Sequence, residues 1–109
     1  MQAGQAIDAL GALAQEHRLQ LFRLLVQAGG DGMAAGELAR AIDIPNSSLS
    51  FHLGHLQRSG LIEQRRAGRS LIYSADYRAM DRLVAYLMAN CCGGASCAPA
   101  ATEHEKETA

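Results

Sequence analysis

The sequence predicts a mainly α-helical domain that carries one small β-hairpin. Apolar residues recur at helical spacing in successive stretches of the chain, and two short strand-like runs flank a turn that contains glycine. Hydrophobic residues make up 49% of the composition, which is enough for a packed core. With 109 residues, the chain has room for one small domain and not for two cores.

Two helices are predicted in the first third of the chain. The first covers residues 6–14 and the second covers residues 16–28. The apolar side of the first helix is formed by Ile7, Leu10, Leu13 and Ala14. The apolar side of the second is formed by Leu21, Leu24, Leu25 and Ala28. A glycine-rich stretch at 29–32 ends the second helix, because glycine adopts the left-handed backbone that a helix stop often requires.

A pair of helices separated by a short break is predicted next. The third helix covers 35–41, and Pro45 then disfavours helix at the residue before it. The fourth helix begins near Asn46, whose side chain can accept from an unpaired backbone amide, and runs to about Arg58. Its buried stripe is predicted to be Leu49, Leu53 and Leu56.

A hairpin and a fifth helix complete the predicted domain. Residues 61–66 and 71–74 are the strands, joined by the turn 67–70. Asp76 caps a helix over 77–90. The apolar face of this helix consists of Met80, Leu83, Val84, Leu87 and Met88. We therefore expect a folded domain over residues 1–90 and a cysteine-bearing, otherwise mobile tail over 91–109.

The charge distribution favours an anionic partner for the middle of the chain. The whole sequence has 10 basic and 11 acidic residues, which excludes a polybasic or strongly acidic disordered protein. Residues 46–75, however, hold four arginines against one glutamate, a net charge of +3. Arginine pairs bidentately with phosphate or carboxylate. No apolar run approaches a membrane span and no secretory signal is visible, so we expect a soluble, cytoplasmic protein.

Two short helices joined by a tight turn and followed by an arginine-tipped hairpin form a winged helix-turn-helix pattern. A helix of this kind fits the DNA major groove, where small hydroxyls approach bases and a phenyl ring contacts a thymine methyl. Histidines can donate to phosphates, and wing arginines reach the backbone or minor groove. The predicted DNA contacts are Ser47, Ser48, Ser50, Phe51, His52, His55, Arg66 and Arg69. From pattern alone, a plain packing unit with a solvated hairpin remains an equal alternative.

Three stretches of the sequence resemble the ArsR/SmtB family of metal-responsive repressors. Residues 13–19, LAQEHRL, resemble the opening motif of that family. Residues 36–39, GELA, with 45–53, PNSSLSFHL, resemble its second motif, and 60–69, GLIEQRRAGR, resembles its wing. The resemblance covers about residues 10–90. It implies a homodimer, usually formed by the first and fifth helices, that represses its own operon and releases DNA when a metal or metalloid binds.

The inducer site implied by this resemblance lies after the fifth helix. The stretch 33–36 has no cysteine and 77–90 has no histidine, so two sensor sites of the family are absent. Cys91, Cys92 and Cys97 remain, and paired cysteines in this position resemble the arsenic-sensing branch. Three soft thiolates select thiophilic ions. A trigonal set suits As(III) or Sb(III), whose lone pair occupies the remaining direction.

Other uses of the three thiols stay open. They are also consistent with a redox switch that joins Cys97 to Cys91 or Cys92, or with a Cd(II) or Pb(II) site. Tetrahedral zinc needs a fourth donor, and His104 is distant in sequence. An enzyme is disfavoured because the sequence offers no set of nucleophile, base and orienting acid. We therefore expect no organic cofactor, a near-palindromic operator and a second copy of the chain as partners.

Overall fold

The structure is a computed structural model that describes residues 1–94 of the chain. Its helices are α1 (Ala3–Leu13), α2 (Glu16–Ala28), α3 (Ala35–Ile42), α4 (Asn46–Arg58) and α5 (Tyr77–Leu87). Its strands are β1 (Met33–Ala34), β2 (Ile62–Ala67) and β3 (Ser70–Ala75). This order of elements confirms the predicted fold class, a mainly helical winged helix-turn-helix with a small hairpin. None of the described helices is long and apolar enough to cross a membrane.

Helix α1 packs on the core through small residues rather than through the apolar side that the sequence predicted. Its buried residues are Ala6, Ala9 and Ala12. Ile7 is 67% exposed and Leu10 is 43% exposed, so most of the predicted apolar side of α1 faces away from the core. Alanines allow the axis of α1 to approach its neighbours closely, which leaves the larger side chains of α1 on the outside of the chain. The helix also begins earlier than predicted, behind a capping box in which Gln5 accepts from the amide of Gln2.

Helix α2 has the predicted bounds and is the centre of the core. Leu21 and Leu25 are fully buried, and Phe22 is buried beside them. The Gln15 side chain caps the helix by accepting from the Arg18 amide at 2.9 Å. Gly29 ends it with φ 78°, the left-handed region that the predicted glycine stop requires.

The turn between α3 and α4 forms the helix-turn-helix unit. Asp43 takes φ 55°, and its amide donates to the Ala39 carbonyl, which closes α3. The extended residue before α4 is Pro45, not Asn46, and the structure shows no side-chain cap there. Asn46 instead opens the first turn of α4, so the predicted capping role of Asn46 is wrong. Proline suits this position because its fixed φ and missing N–H cost a helix start little.

The sheet has three antiparallel strands in the order β1-β3-β2. Strands β2 and β3 pair from Ile62 with Ala75 to Ala67 with Ser70, which confirms the hairpin with bounds shifted by about one residue. The sequence did not predict β1, because two residues are too short to show a strand pattern. Gly32, just before β1, has φ 69° and lies against the backbone of Tyr73, so a side chain at that position would collide with β3.

Helix α5 begins at the predicted cap and ends earlier than predicted. The Asp76 carboxylate accepts from the Ala79 amide at 3.1 Å. The helix ends at Leu87 rather than at residue 90, and Asn90 then takes φ 57°. Asparagine tolerates this left-handed conformation better than most residues. Only part of the predicted apolar face reaches the core, since Leu83 is buried, Met80 is partly buried, and Leu87 is 56% exposed.

Candidate nucleic-acid interface

Helix α4 buries one side and presents another to solvent. Leu49, Leu53 and Leu56 are buried as predicted, and they hold α4 against α2, α3 and α1. Ser47, Ser50 and Phe51 are exposed, while Ser48 and His55 are half-buried. Phe51 is 63% exposed. An exposed face of hydroxyls and one ring fits the base edges of a major groove.

His52 does not lie on this exposed face. Its side chain is only 9% exposed and packs between α4 and α2. Its Nδ1 atom lies 3.2 Å from the Arg18 guanidinium, and its ring stands 5.5 Å from that of His17. The sequence predicted that His52 donates to phosphate, and the structure places its side chain away from the exposed face, against Arg18 and His17. The cause is helical spacing, since position 52 falls within the stripe of Leu49, Leu53 and Leu56.

The other histidine of α4 sits at the border of the exposed face. His55 lines a groove of about 450 Å³ together with residues of α1 and the end of α4. Its neighbours in this groove are Ile7, Asp8, Gly11, Arg58 and Ser59. That His55 contacts a phosphate remains a prediction. It would do so from the edge of the exposed face of α4.

The hairpin carries the predicted wing arginines at its tip. Arg66 lies near the end of β2, Arg69 lies in the turn, and both are exposed. Gly68 takes φ 63° between them, which is the conformation expected of a tight hairpin turn. The wing is anchored at its base, because the Arg65 guanidinium donates to the Asp31 carbonyl at 2.9 Å. Arg66 and Arg69 are thus exposed where they can meet a phosphate, while Arg65 is held by the protein.

A polar bridge that the sequence did not predict joins α4 to the wing. The Gln57 side chain donates to that of Gln64 at 3.1 Å, and Gln64 in turn donates to the Tyr73 hydroxyl at 3.5 Å. Gln57 lies on the last turn of α4, whereas Gln64 and Tyr73 are opposite each other in the hairpin. The bridge connects the last turn of α4 to the hairpin.

The first cysteine is the fourth residue beyond the end of α5. Residues Cys91–Gly94 form a single 3₁₀ turn, and the Cys91 amide donates to the Met88 carbonyl at 3.0 Å. The Cys91 side chain is half-buried. Cys97 and His104 lie outside the described residues, as does the Cys92 side chain. Among the described residues, no three His, Cys, Asp or Glu side chains are grouped closely enough to hold a metal ion.

Comparison with characterised proteins identifies the family of this chain. A helix-turn-helix domain family matches residues 13–65. The transcriptional activator HlyU of Vibrio cholerae is 32% identical over 75% of this chain and 76% of that protein. The regulator YgaV of Escherichia coli K12 is 33% identical over 78% of this chain and 84% of that protein. A putative arsenical resistance operon repressor, ArsR, of Halobacterium salinarum is 31% identical over 75% and 66%, respectively.

The chain belongs to the ArsR/SmtB family of transcriptional regulators. An ArsR-like regulator from Rhodococcus has a similar structure, with a TM-score of 0.69 at 25% identity over 77% of this chain and 76% of that one. Reduced HlyU from Vibrio cholerae gives a TM-score of 0.64 at 27% identity over 83% and 92%. This ArsR/SmtB member is therefore a DNA-binding transcriptional regulator.

A solved relative shows the assembly that this ArsR/SmtB fold can form. The homodimeric winged helix-turn-helix domain of a possible ArsR-family regulator from Mycobacterium bovis gives a TM-score of 0.65 at 27% identity. It covers 78% of this chain and 77% of the solved chain. The described part of the ArsR/SmtB member therefore corresponds to a domain that pairs with itself in a relative.

Proposed function

We propose that this protein is a transcriptional repressor of a metalloid-resistance operon and leaves its operator when As(III) or Sb(III) binds Cys91, Cys92 and Cys97. The observation that carries the proposal is the presence of three thiols within seven residues, directly after α5. The backbone bond from Cys91 to Met88 ties the first thiol to the end of that helix. The name of the Halobacterium relative, a putative arsenical resistance operon repressor, supports the same assignment.

The donor set fits a soft, pyramidal centre. Thiolates prefer soft ions, and three of them leave the fourth direction to a lone pair. We propose that Cys97 supplies the third thiolate beside the pair at 91–92. Gly93 has φ 66°, a conformation that lets the chain reverse between the pair and Cys97. Neutral arsenite, As(OH)₃, exchanges its three hydroxides for three thiolates, and the three thiol protons leave with the hydroxides as three water molecules.

The DNA-binding role is assigned to two elements. Ser47, Ser48, Ser50 and Phe51 of α4 are proposed to meet base edges or nearby phosphates, with His55 at the border. Arg66 and Arg69 of the wing are proposed to contact the backbone or the minor groove. A symmetric dimer then requires a near-palindromic operator whose half-sites lie about one helical turn apart.

A second copy of the chain is proposed to cover the exposed apolar residues of α1 and α5. These two helices are in contact within one chain, so their outer faces form one continuous surface. Its exposed members are Ile7, Leu10, Val84, Leu87 and Met88. A patch of this kind marks an interaction site, and the homodimeric Mycobacterium bovis domain supports a copy of the same chain as the occupant.

Coupling between the thiols and DNA follows from this arrangement. Three residues separate the thiols from α5, which lies in the proposed dimer interface, and the Cys91 amide is bonded to the Met88 carbonyl at the end of that helix. Metalloid binding can release DNA only if it favours a dimer form that binds DNA poorly. A coupling free energy of about 1–3 kcal/mol is typical of such linkage and corresponds to a 5- to 150-fold change in operator affinity.

Serine substitutions test the proposed inducer site. Cys91→Ser and Cys92→Ser are expected to leave operator affinity unchanged and to abolish release by arsenite, because a hydroxyl is a poor ligand for a soft ion. Fluorescence anisotropy of a labelled operator duplex measures both effects. Ser96→Ala is the matched control, since it changes the same segment without removing sulfur. Arsenite-induced release from the double serine variant would contradict the site assignment.

An oxidation-responsive regulator is the second candidate. It is favoured by the structure described as reduced HlyU, whose chain is 27% identical to this one. In this case Cys97 forms a disulfide with Cys91 or Cys92, and two thiols give two electrons and two protons to an added oxidant. Release by the oxidant diamide without arsenite, reversed by dithiothreitol, would favour this candidate. Titration with Cd(II) and Pb(II) tests the remaining alternative, in which the same thiols bind one of these ions.

A further inference from the structure

A buried arginine links three helices behind the exposed face of α4. The Arg18 side chain is 9% exposed, although arginine is rarely buried without partners. Its Nε–H donates to the Ala12 carbonyl at 2.7 Å, in the last turn of α1. One terminal nitrogen lies 3.2 Å from Nδ1 of His52 on α4. The proposed DNA contacts use neither side chain.

The chemistry of this pair fixes the state of the histidine. A guanidinium has five N–H donors and no acceptor, so Nδ1 of His52 must be the acceptor. His52 is therefore neutral, with its proton on Nε2. A protonated imidazole would lose the hydrogen bond and place a second cation against the guanidinium. The bond is charge-assisted, which makes it stronger than a bond between neutral groups.

The bond is directional, unlike the other contacts on the buried side of α4. Leu49, Leu53 and Leu56 hold α4 against the core by close packing, which by itself defines no hydrogen-bond direction. A rotation of about 20° moves a side-chain tip, about 6 Å from the axis, by about 2 Å. Hydrogen bonds to base edges tolerate a few tenths of an ångström. One directional bond can thus decide whether Ser47, Ser50 and Phe51 meet the bases.

We propose that Arg18 and His52 are positioning residues for operator recognition, and that their hydrogen bond sets the rotation of α4 so that its exposed face meets the base edges. The bond from Arg18 Nε to the Ala12 carbonyl fixes this rotation relative to α1, the helix assigned to the dimer interface. The pair thus contributes to discrimination among DNA sequences, and it touches neither a base nor a phosphate. The proposal rests on the proposed function only in that α4 enters the major groove.

The test compares specific with non-specific DNA binding in four variants. Arg18→Met and His52→Leu remove the bond while filling the buried volume. The double variant removes both partners. His52→Asn keeps an acceptor oxygen near the position of Nδ1. The probes are a duplex that the wild-type protein selects from a random pool and a scrambled duplex of the same composition. Affinities are measured by anisotropy at several salt concentrations, and the folded fraction is measured by circular dichroism.

A positioning role predicts a specific pattern of effects. Arg18→Met and His52→Leu lose about tenfold or more in affinity for the selected duplex, as expected for a bond to a charged group. Their affinity for the scrambled duplex and both salt slopes stay unchanged, because the same phosphates are neutralised as in the wild type. The double variant loses no more affinity than either single one, since both act through one bond. His52→Asn recovers most of the affinity.

Two results would overturn the proposal. If Arg18→Met and His52→Leu lower only the melting temperature while the folded protein keeps its affinity for the selected duplex, the pair is merely structural. If the salt slope of His52→Leu falls by about 0.9, the value expected for one phosphate that is no longer neutralised, and both duplexes bind more weakly alike, His52 touches phosphate. Should Arg18→Met fail to fold, the comparison of His52→Leu with His52→Asn decides the same question.

Phe51→Ala separates failure of this proposal from failure of the proposed function. Phe51 is exposed and takes part in neither hydrogen bond of Arg18, although its ring stands edge-on at 5.4 Å from that of His52. If Phe51→Ala weakens selective binding and the Arg18 and His52 variants do not, only the positioning role is wrong. If Phe51→Ala leaves selection unchanged, α4 does not read the groove as proposed, and the positioning role is overturned with it.

Discussion

His52 is a single buried side chain that makes the stability of the fold depend on pH. Burial lowers the pKa of His52 below its ordinary value of 6.5, and the positive charge of Arg18 acts in the same direction. His17 on α2 and His55 on α4 also face it and add smaller effects that lower its pKa. In the unfolded chain the imidazole regains its ordinary pKa. Below pH 6.5 the unfolded state therefore binds more protons than the folded state does.

This difference predicts a loss of stability in acid that depends on His52. The stabilisation that depends on a neutral His52 is fully present above pH 6.5 and is lost as the pH falls towards the lowered pKa of the folded state. Over that range the free energy of unfolding changes by at most about 1.4 kcal/mol per pH unit. Urea unfolding at pH 7.5 and pH 5.5, at one fixed protein concentration, measures it. Wild type should lose more stability than His52→Asn over this interval. Equal losses in the two proteins would contradict a neutral, buried His52.

Arg18 and His52 form a buried pair that the sequence analysis did not predict. Leu49, Leu53 and Leu56 were predicted to be buried, and the same spacing places position 52 among them. Arg18 likewise precedes Leu21, Phe22 and Leu25 by three, four and seven residues, as one helical face requires. The sequence analysis gave Arg18 no structural role and gave His52 a phosphate contact, because the two partners lie 34 positions apart in sequence. Spacing alone would have located both residues.

At the scale of secondary-structure elements, the wing is a hairpin that is held at its base and exposed at its tip. The bond from Arg65 to Asp31 and the bridge from Gln64 to Gln57 anchor it to the rest of the domain. Arg66 and Arg69 project beyond these anchors. Local sequence predicted the hairpin, because a glycine turn and two adjacent strands lie within 15 residues. It did not predict β1, whose pairing with β3 is decided by tertiary contacts.

The wing arginines predict a change in the salt dependence of DNA binding. Arg69→Ala should lower the slope of log affinity against log salt by about 0.9 for each phosphate that the arginine neutralises in the wild type. Arg78→Ala is the matched control, because Arg78 is an equally exposed arginine at the start of α5 and outside the wing. Operator titrations at several salt concentrations measure both. A slope that Arg69→Ala leaves at the wild-type value would show that the wing arginine does not bind phosphate.

At the scale of the whole molecule, two helices present apolar surface that the described chain does not cover. The sequence located the apolar residues of α1 and α5 but not which of them face the core. Periodicity predicts a stripe of apolar residues along one side of a helix. Such a stripe can pack equally well against the core of the same chain or against a partner. The buried residues of α1 are alanines, and Ile7 and Leu10 lie on its exposed side. The resemblance to a dimeric family, rather than periodicity, supplied the dimer expectation.

A charge placed on this surface should separate the subunits. Leu87→Glu is expected to raise the dimer dissociation constant by about 100-fold or more, because an unpaired buried charge costs several kcal/mol. Operator affinity should fall with it, since two half-sites are then bound by separate chains. Leu19→Glu is the control, an equally radical change at an exposed leucine on α2. Sedimentation velocity measures the assembly. An unchanged dimer in Leu87→Glu would place the interface elsewhere.

Simultaneous titration of metal binding and DNA release tests the central claim most directly. Arsenite is added to the protein on a labelled operator duplex while sulfur-to-arsenic absorption and anisotropy are recorded together. The account predicts that both signals saturate at one metalloid per chain, and that the variant with serine at 91, 92 and 97 shows neither. Release of the operator without sulfur-to-arsenic absorption, or saturated absorption with the operator still bound, would contradict it.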